Sequence, residues 1–250
     1  MAIKYLDNEA EEAFEVGDKQ FYRYYSLESA KLSLKSNSLW FSNPTEWDDP
    51  FEKLFIEAKY QHNGITKDFP LKNRLFCICI TDEDNSLASW DAYSNNQTAI
   101  RFQLSSKELL QLLEAQSIYE VYIGKVRYRG TREIDGKNGP SDFDLNDLFN
   151  ISLSEKHKIS LLLLKRYAYR YEREFRIILV RKNQIKNLKG IKLTFDRNMV
   201  HELITEVKIG PSTKATEVEG LRNIFKSYGI KKVYKSRLKD PLEPRYYKLI

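Results

Sequence analysis

Short apolar runs separated by polar turns dominate this sequence, and most of them have the two-residue period of a β-strand. Residues 75–80 are continuously apolar, which is typical of a buried strand, whereas residues 98–104 alternate between apolar and polar types. The predicted strands lie at residues 21–25, 39–42, 75–80, 98–104, 118–128, 171–180, 191–195, 205–209 and 233–234.

Helical periodicity appears between these strands. Ser26 and Ser105 are each placed to cap a helix, the second within a capping box. The longest predicted helix starts at Ser154, has an apolar face that includes Leu162, Leu163 and Leu164, and ends near residues 165–166. Residues 217–228 form another predicted helix that Gly229 closes. Because strands and helices alternate irregularly and the strands are short, the pattern favours an α+β fold over a doubly wound parallel sheet.

We predict a single compact domain with a central mixed, mostly antiparallel sheet of short strands flanked by helices. A length of 250 residues is ample for one large core. Within the domain we distinguish an acidic N-terminal segment (1–18), a loop rich in glycine and charge (130–144) and an irregular tail (239–250). No apolar run approaches a membrane span and the first residues have no signal-peptide pattern, so we expect a cytoplasmic protein.

Composition adds little about partners. The net charge of +6 permits contact with nucleic acid, but acidic residues are interspersed with the basic ones, which is weak evidence for a polyanion partner. With 16 Tyr, some aromatic rings are expected to line a groove rather than the core. We interpret Cys77 and Cys79 as reduced core residues on opposite faces of a strand, which do not bridge.

Charged residues at the leading end of a predicted core strand are the strongest candidates for chemistry. Residues 171–176 read Tyr-Glu-Arg-Glu-Phe-Arg and run directly into an apolar stretch. A two-residue period places Glu172, Glu174 and Arg176 on one face. Either these charges pair with each other at a solvated strand end, or two carboxylates and a guanidinium face a polar ligand in a cleft.

Several common catalytic motifs are missing. The sequence has no Gly-rich phosphate loop, no Gly-x-Ser-x-Gly elbow and no paired Cys-x-x-Cys, and its three histidines are far apart. Carboxylates are numerous enough for a metal-dependent nuclease, which stays an alternative, although the lysine that usually follows the second acidic residue of the common nuclease motif is missing. These carboxylates are Asp48, Asp49, Glu52, Glu172 and Glu174.

Two tryptophan-containing segments, 39–52 and 89–94, are further candidates. The first holds two Trp and two Pro, a pattern that predicts a rigid turn in which either Asp48 or Asp49 accepts backbone N–H bonds, or Asp49 faces a ligand. The second either packs Trp90 and Tyr93 into the core as a helical turn or contributes these rings to a site.

Together these segments resemble a bacterial and phage family of unknown function, DUF2971. The resemblance spans about residues 22–236, and Trp47, Asp48 and Asp91 depart from the types that many members carry, so no imidazole role is carried over to Asp91. The matching motifs are Trp-Phe-Ser-Asn-Pro at 40–44, Asp-Asp-Pro-Phe-Glu at 48–52, Trp-Asp-Ala-Tyr-Ser at 90–94, the Glu-x-Glu segment at 171–176 and Ile-Gly-Pro at 209–211.

The order of the motifs also resembles, more distantly, that of ADP-ribosyltransferases. This resemblance implies an ADP-ribosyltransferase-like sheet and NAD as the substrate. Cleavage of the nicotinamide–ribose bond builds positive charge on the sugar, so Glu174 would stabilise the transition state through the ribose 2′-hydroxyl. Glu172 would orient or deprotonate the acceptor.

The same resemblance implies residues that bind the substrate. An arginine would hold the pyrophosphate in bidentate fashion, and an aromatic ring would stack on nicotinamide. The residues implied in binding are Arg23, Tyr24, Trp40, Ser42, Asp49, Trp90, Tyr93, Arg101 and Arg176, and none is assigned to a metal.

Three functions therefore stay open on the sequence. The first is an NAD-dependent ADP-ribosyltransferase or NAD glycohydrolase, a toxin or antiphage effector that modifies nucleic acid or protein and has an antitoxin or defence-system partner. The second is the carboxylate-metal nuclease. The third is a non-catalytic module that binds a nucleotide or nucleic acid through the same aromatic and basic groups. No membrane partner is expected.

Overall fold

The structure is a computed structural model that describes residues 2–57, 59–62, 64–94, 98–130, 154–185 and 187–240. The predicted loop at 130–144 and tail at 239–250 lie mainly outside these residues. The strands are β1 Lys4–Tyr5, β2 Gln20–Ser26, β3 Ser38–Ser42, β4 Lys59–His62, β5 Ile65–Asp68, β6 Leu75–Thr81, β7 Ala99–Ser105, β8 Tyr119–Lys125, β9 Arg127–Arg129, β10 Leu164–Arg166, β11 Glu174–Arg181, β12 Gly190–Thr194, β13 Ile204–Ile209 and β14 Val233–Lys235.

Helices connect and cover these strands. Ser26 and Ser105 cap α2 and α5 as the sequence predicts, because each hydroxyl accepts the backbone N–H three residues later. The helices are α1 Asn8–Glu15, α2 Leu27–Lys35, α3 Pro50–Glu57, α4 Leu87–Ser94, α5 Ser106–Glu114, α6 Glu155–Ser160, α7 Val200–Leu203 and α8 Ala215–Ser227, with 3₁₀ turns at Pro44–Glu46, Leu161–Leu163, Tyr167–Glu172 and Arg197–Met199.

A large mixed sheet forms the centre of the fold. Its strand order is β1-β8-β11-β6-β2-β7-β13-β14, and β12 joins it through β3, which pairs with β6. The β1–β8 and β13–β14 pairs are parallel, and the other pairs in this sheet are antiparallel. The predicted α+β class with a mixed, mostly antiparallel sheet is therefore confirmed.

The sheet forks on one side of β6. Along its other side β6 pairs with β11 over its whole length. On the forked side it meets β2 only at Tyr22–Thr81 and β3 only at Ser42–Cys77, so β2 and β3 diverge. Between these two points the Cys79 carbonyl accepts a hydrogen bond from a side chain of β2, at 3.0 Å, instead of from a strand. The fork leaves a gap in the ladder that side chains can enter.

Both faces of the sheet are covered by apolar side chains. Alternate residues of β6 enter two different cores: Phe76, Ile78 and Ile80 lie in the larger one, whereas Leu75 and Cys77 lie in the smaller one. This explains the continuous apolar run in the sequence, since a strand buried on both faces does not alternate. Among the described residues, no helix combines the length and the apolar character needed to cross a membrane.

Some local predictions were wrong. The helix that begins at Ser154 ends at Ser160, and the leucines after it form a 3₁₀ turn and the short strand β10. Residues 171–172 belong to a 3₁₀ helix rather than to the strand, which begins at Glu174. Within the acidic segment 1–18, β1 and α1 form, and α1 buries Phe14 in the larger core. Tertiary packing decides these points, because local periodicity does not distinguish a short buried helix from a short buried strand.

Gly190 is expected to be intolerant of a side chain because β3 and β12 pack closely there. A Cβ on Gly190 would lie 2.5 Å from Phe41 O and would overlap the Trp40 ring. Gly190→Ala should therefore lower the free energy of unfolding by roughly 1–3 kcal/mol, measured by urea titration. Gly220→Ala is the matched control: nothing lies within 4 Å of that position, which is inside α8, so a gain of roughly 0.5–1 kcal/mol is expected. Equal effects of the two changes would contradict this packing.

Candidate functional site

A cleft of about 380 Å³ opens at the fork of the sheet. The fork brings β2, β3, β6 and β11 together there, while α3, α4 and the segment from β10 to the start of β11 provide the walls. The described residues that line it include six acidic and three basic side chains, so the cleft is acidic overall. They are Arg23, Ser42, Glu46, Trp47, Asp48, Asp49, Glu52, Cys77, Cys79, Tyr93, Lys165, Tyr169, Glu172, Glu174 and Arg176.

Glu174 and Arg176 form the floor of the cleft. They are two residues apart on β11 and share a face, as the sequence predicts, and both are almost completely buried. Arg176 Nε donates to Glu174 Oε1 at 2.6 Å, its other nitrogens bind Glu52 and the Leu162 carbonyl, and its guanidinium stacks on Trp47 with 4.4 Å to the ring centroid. Every side of Arg176 is thus occupied by protein.

Lys165 joins the carboxylates of the cleft. Its Nζ lies 2.5 Å from Glu172 Oε2, 2.9 Å from Glu174 Oε2 and 3.8 Å from Glu52 Oε1. Burial alone would lower the pKa of Lys165. The three carboxylates raise this pKa by more than burial lowers it, so the ammonium stays charged. Because one buried ammonium contacts all three carboxylates, it holds them close to one another.

The two carboxyl groups of the Glu-x-Glu motif differ in ionisation. For Glu174 burial alone would raise the pKa, but Arg176 and Lys165 outweigh it and hold the pKa well below its usual range. For Glu172 burial and then the Glu174 charge outweigh Lys165 and raise the pKa to about 7. At neutral pH the pair therefore combines a permanently ionised acid with one that titrates.

Their positions differ as well, because the chain turns between them. Arg173 has a left-handed backbone with φ 45°, and its side chain pairs with Asp82 and Glu83. Glu172 ends a 3₁₀ helix on the cleft wall and its side chain is 27% exposed, whereas that of Glu174 is 3% exposed. Glu172 is thus the member of the motif that an incoming ligand meets first.

Glu174 has little capacity left for hydrogen bonds. Arg176 donates to both of its oxygens, Lys165 donates to Oε2, and the Cys79 thiol donates as well. A carboxylate offers about four lone-pair positions, so all are used, and the thiol is the weakest of these donors. A ligand hydroxyl that reaches Glu174 has to displace one of them.

Arg23 and Tyr93 are the binding candidates with free capacity. Arg23 Nη1 donates to the Cys79 carbonyl, and its Nε is buried without a hydrogen-bond partner. Tyr93 is 44% exposed and lines the cleft, and one face of its ring stacks on Tyr24 with 6.1 Å between the ring centroids. Arg23 therefore offers a cation to the cleft, and Tyr93 offers one aromatic face.

Ser42 and Asp49 also lie in the cleft, where each is bound by a neighbour. Ser42 Oγ accepts from Trp47 Nε1 at 3.1 Å. Asp49 accepts from Arg166 Nε at 3.2 Å and from the Phe51 backbone N–H, so it combines a turn with an ion pair. The structure thus brings Asp49 and both acids of the motif to one pocket.

The remaining candidates lie elsewhere. Tyr24 donates to the Asp84 carbonyl and packs on Trp90, and Trp90 lines a different pocket beside Gly210. Arg101 is completely buried in its own ion pairs with Asp84 and Glu206. These three side chains serve the fold in this conformation rather than the cleft, and the same holds for the exposed Trp40 on β3, whose ring lies over Gly190.

Sequence reasoning missed Lys165, Trp47 and Tyr169 as cleft residues. Lys165 follows four leucines that were read as a helix, and a strand reading of residues 164–166 would have directed it inward. The assignment of Cys77 and Cys79 to opposite faces was wrong, because residues two apart on a strand share a face and both line the cleft. Burial raises the pKa of both thiols, so they stay protonated.

Comparison with known proteins finds a family model that matches part of the chain. Residues 89–177 match the family described as "Protein of unknown function (DUF2971)". This confirms the resemblance over a segment that includes most of α4 and the Glu-x-Glu motif. Among curated proteins, no sequence matches this one.

Solved structures give weak similarities. The Thermus sp. 2.9 DarT in complex with NAD+ has a TM-score of 0.39 at 11% identity, covering 88% of this chain and 96% of that chain. The same protein in complex with ADP-ribosylated ssDNA has a TM-score of 0.38 at 11% identity, covering 88% and 95%. Scores below 0.5 do not by themselves establish a shared fold or a shared activity.

Proposed function

We propose that this protein cleaves the nicotinamide–ribose bond of NAD and transfers ADP-ribose to a nucleic acid or protein, or to water. The observation that carries the proposal is the combination, in one acidic cleft, of the open Tyr93 ring, the partly exposed Glu172 and the ionised Glu174 on the floor. The nicotinamide ring of NAD is a planar cation, and aromatic faces beside carboxylates bind such groups.

The reaction assigns a role to each group. The bond from ribose C1′ to the nicotinamide nitrogen breaks, its electron pair leaves with nicotinamide, and positive charge develops on the sugar. Glu174 stabilises that charge from the floor, and its hydrogen bond to the ribose 2′-hydroxyl replaces the one from the Cys79 thiol. Glu172 accepts the proton of the acceptor as the acceptor oxygen or nitrogen attacks C1′. Arg23 holds the pyrophosphate.

The competing hypotheses fit the cleft less well. A metal-dependent nuclease needs carboxylates free to bind cations, but Asp49, Glu52 and Glu174 are bound by arginine or lysine side chains. Within the described parts of the chain, no group of three or more His, Cys, Asp or Glu side chains is arranged to hold a metal ion. A pure binding module needs no carboxyl group that titrates near neutral pH.

A role as a toxin or antiphage effector, with an antitoxin or defence-system partner, is the biological role that we propose for this activity.

Mass spectrometry after incubation with NAD and cell extract tests the function. Free nicotinamide, together with ADP-ribose on a macromolecule or in solution, is the expected result, and it should be unaffected by a chelator. Nucleic acid cleavage that requires magnesium or manganese ions would instead support the nuclease. Binding of NAD without any product would instead support the non-catalytic binding module.

The pH dependence of turnover should report Glu172. The pKa of this group is raised to about 7, so below that pH the general base is protonated and inactive. We therefore expect kcat/KM to rise about tenfold per pH unit below pH 7 and to level off above it. The Glu172→Gln variant should be slow and should lose this rise, whereas an unchanged profile in the variant would exclude Glu172 as the base.

A further inference from the structure

The most basic stretch of the chain lies outside the cleft. Residues 231–239 read Lys-Lys-Val-Tyr-Lys-Ser-Arg-Leu-Lys and contain five cations and no acid. They include the edge strand β14 and the turn that follows it, and we call them the basic edge. We infer that the basic edge is a docking surface for the phosphate backbone of single-stranded nucleic acid.

The cations of the basic edge are available for binding. Lys231, Lys232 and Arg237 are exposed, and Lys235 is half-buried. Within the described part of the chain these four side chains form no ion pair, whereas Lys239 pairs with Asp91 at 3.6 Å. Unpaired cations in a row attract a polyanion and release its counterions.

The shape and the aromatic content of this surface favour a nucleic acid strand over a membrane. A cleft of about 530 Å³ runs along the basic edge, and its lining includes four cations, two acids and an aromatic ring: Lys208, Arg222, Lys235, Arg237, Glu206, Asp240 and Tyr234. A chain of nucleotides can enter such a concave surface, but a flat bilayer cannot. The Tyr234 ring is 49% exposed between these cations, where a base can stack on it.

Hydrogen bonds link the basic edge to helix α4, which borders the candidate active site. Ser236 Oγ donates to Asn85 Oδ1 at 3.0 Å, and the same oxygen accepts from Trp90 Nε1 of α4 at 2.8 Å. Helix α4 also carries Tyr93 into the cleft, so this helix connects the two sites, which are roughly 24 Å apart across the five strand spacings from β14 to β11.

Strand register places both sites on one face of the sheet. Tyr234 is paired with Lys208, and Lys208 with Arg101 on β7. Arg101 is paired with Tyr24 on β2, and directly paired residues point to the same side. Tyr22, two residues before Tyr24 and on the same side, pairs with Thr81, which pairs with Glu174. The two sites therefore lie on one face of the sheet with α4 between them, and if the proposed NAD chemistry holds, nucleic acid is its acceptor.

Fluorescence anisotropy with labelled single-stranded DNA and RNA oligonucleotides tests the inference in the full chain. The K232E/K235E double variant should bind at least about tenfold more weakly than wild type, with a shallower dependence of log affinity on log salt. Y234A should lose about tenfold with little change in the salt dependence. The control K35E/K107E carries the same charge change on α2 and α5 and should bind like wild type.

The outcomes separate this inference from the proposed function. No oligonucleotide binding by wild type, equal loss in the control variant, or equal binding by K232E/K235E would overturn the docking surface, as would preference for anionic vesicles over oligonucleotides. Nicotinamide release should be equal in wild type and K232E/K235E, since neither lysine lies in the cleft. Oligonucleotide binding without nicotinamide release would support the docking surface and refute the NAD chemistry. Nicotinamide release without oligonucleotide binding would support the NAD chemistry and refute the docking surface.

Discussion

Replacement of Glu174 by glutamine is expected to reduce NAD turnover by roughly 10²–10³-fold, because it removes the buried negative charge that faces the developing positive charge on the ribose. The change is nearly isosteric, and Lys165 and Arg176 remain to fill the space. Release of nicotinamide, followed by chromatography or mass spectrometry, is the measurement. The folded state is checked by thermal unfolding of the same samples.

Glu46→Gln is the matched control for this experiment. Glu46 also lines the cleft, but its side chain is 40% exposed and pairs with the exposed Lys189. Its loss removes the same formal charge from the rim and should change turnover by less than about threefold, because a solvated charge is screened. Full turnover by the Glu174→Gln variant would contradict the catalytic role of Glu174. An equal loss in both variants would indicate that turnover depends only on the overall charge of the cleft.

Arg176→Met is expected to be the most destabilising change in the cleft. The guanidinium is 1% exposed and binds both Glu174 and Glu52, so its removal leaves two buried carboxylates with Lys165 alone. Breaking a buried ion pair in this way costs roughly 3–5 kcal/mol in the free energy of unfolding. Urea titration at pH 7 measures it, and Lys182→Met, at an exposed position just after β11, should cost less than about 0.5 kcal/mol.

A double-mutant cycle identifies the cause of that loss. If the cost comes from uncompensated charge, adding Glu174→Gln to Arg176→Met should recover part of the stability, because the neutral amide no longer needs a cation. Simple addition of the two single losses would show instead that packing of Arg176 on Trp47 dominates.

Local patterns predicted most elements of the fold correctly. β2, β3, β6, β7, β12 and β13 form within one or two residues of their predicted ends, and serine caps begin α2 and α5. Such elements are encoded by short-range periodicity and capping, which are local properties of the chain. The predictions failed at residues 161–172, which have no clear helical or strand period. Tertiary packing selects 3₁₀ turns and the short strand β10 there.

The candidate site was predicted only in part. The pairing of Glu174 with Arg176 follows from their spacing on one strand, and Asp49, Ser42 and Tyr93 do reach the cleft. Arg101, on the other hand, is occupied by Glu206, more than a hundred residues away, which no local pattern indicates.

By itself, the sequence determined the α+β class, the positions of most strands and the presence of a charged motif at the start of a core strand, since each depends on residues close together in the chain. Only the tertiary structure decided which charges meet. Lys165 on β10 and Arg176 on β11 meet at the fork of the sheet and hold Glu174 ionised, whereas burial and the nearby Glu174 charge raise the pKa of Glu172 to about 7. Ionisation depends on burial and on distances between charges, which arise only when distant segments pack together.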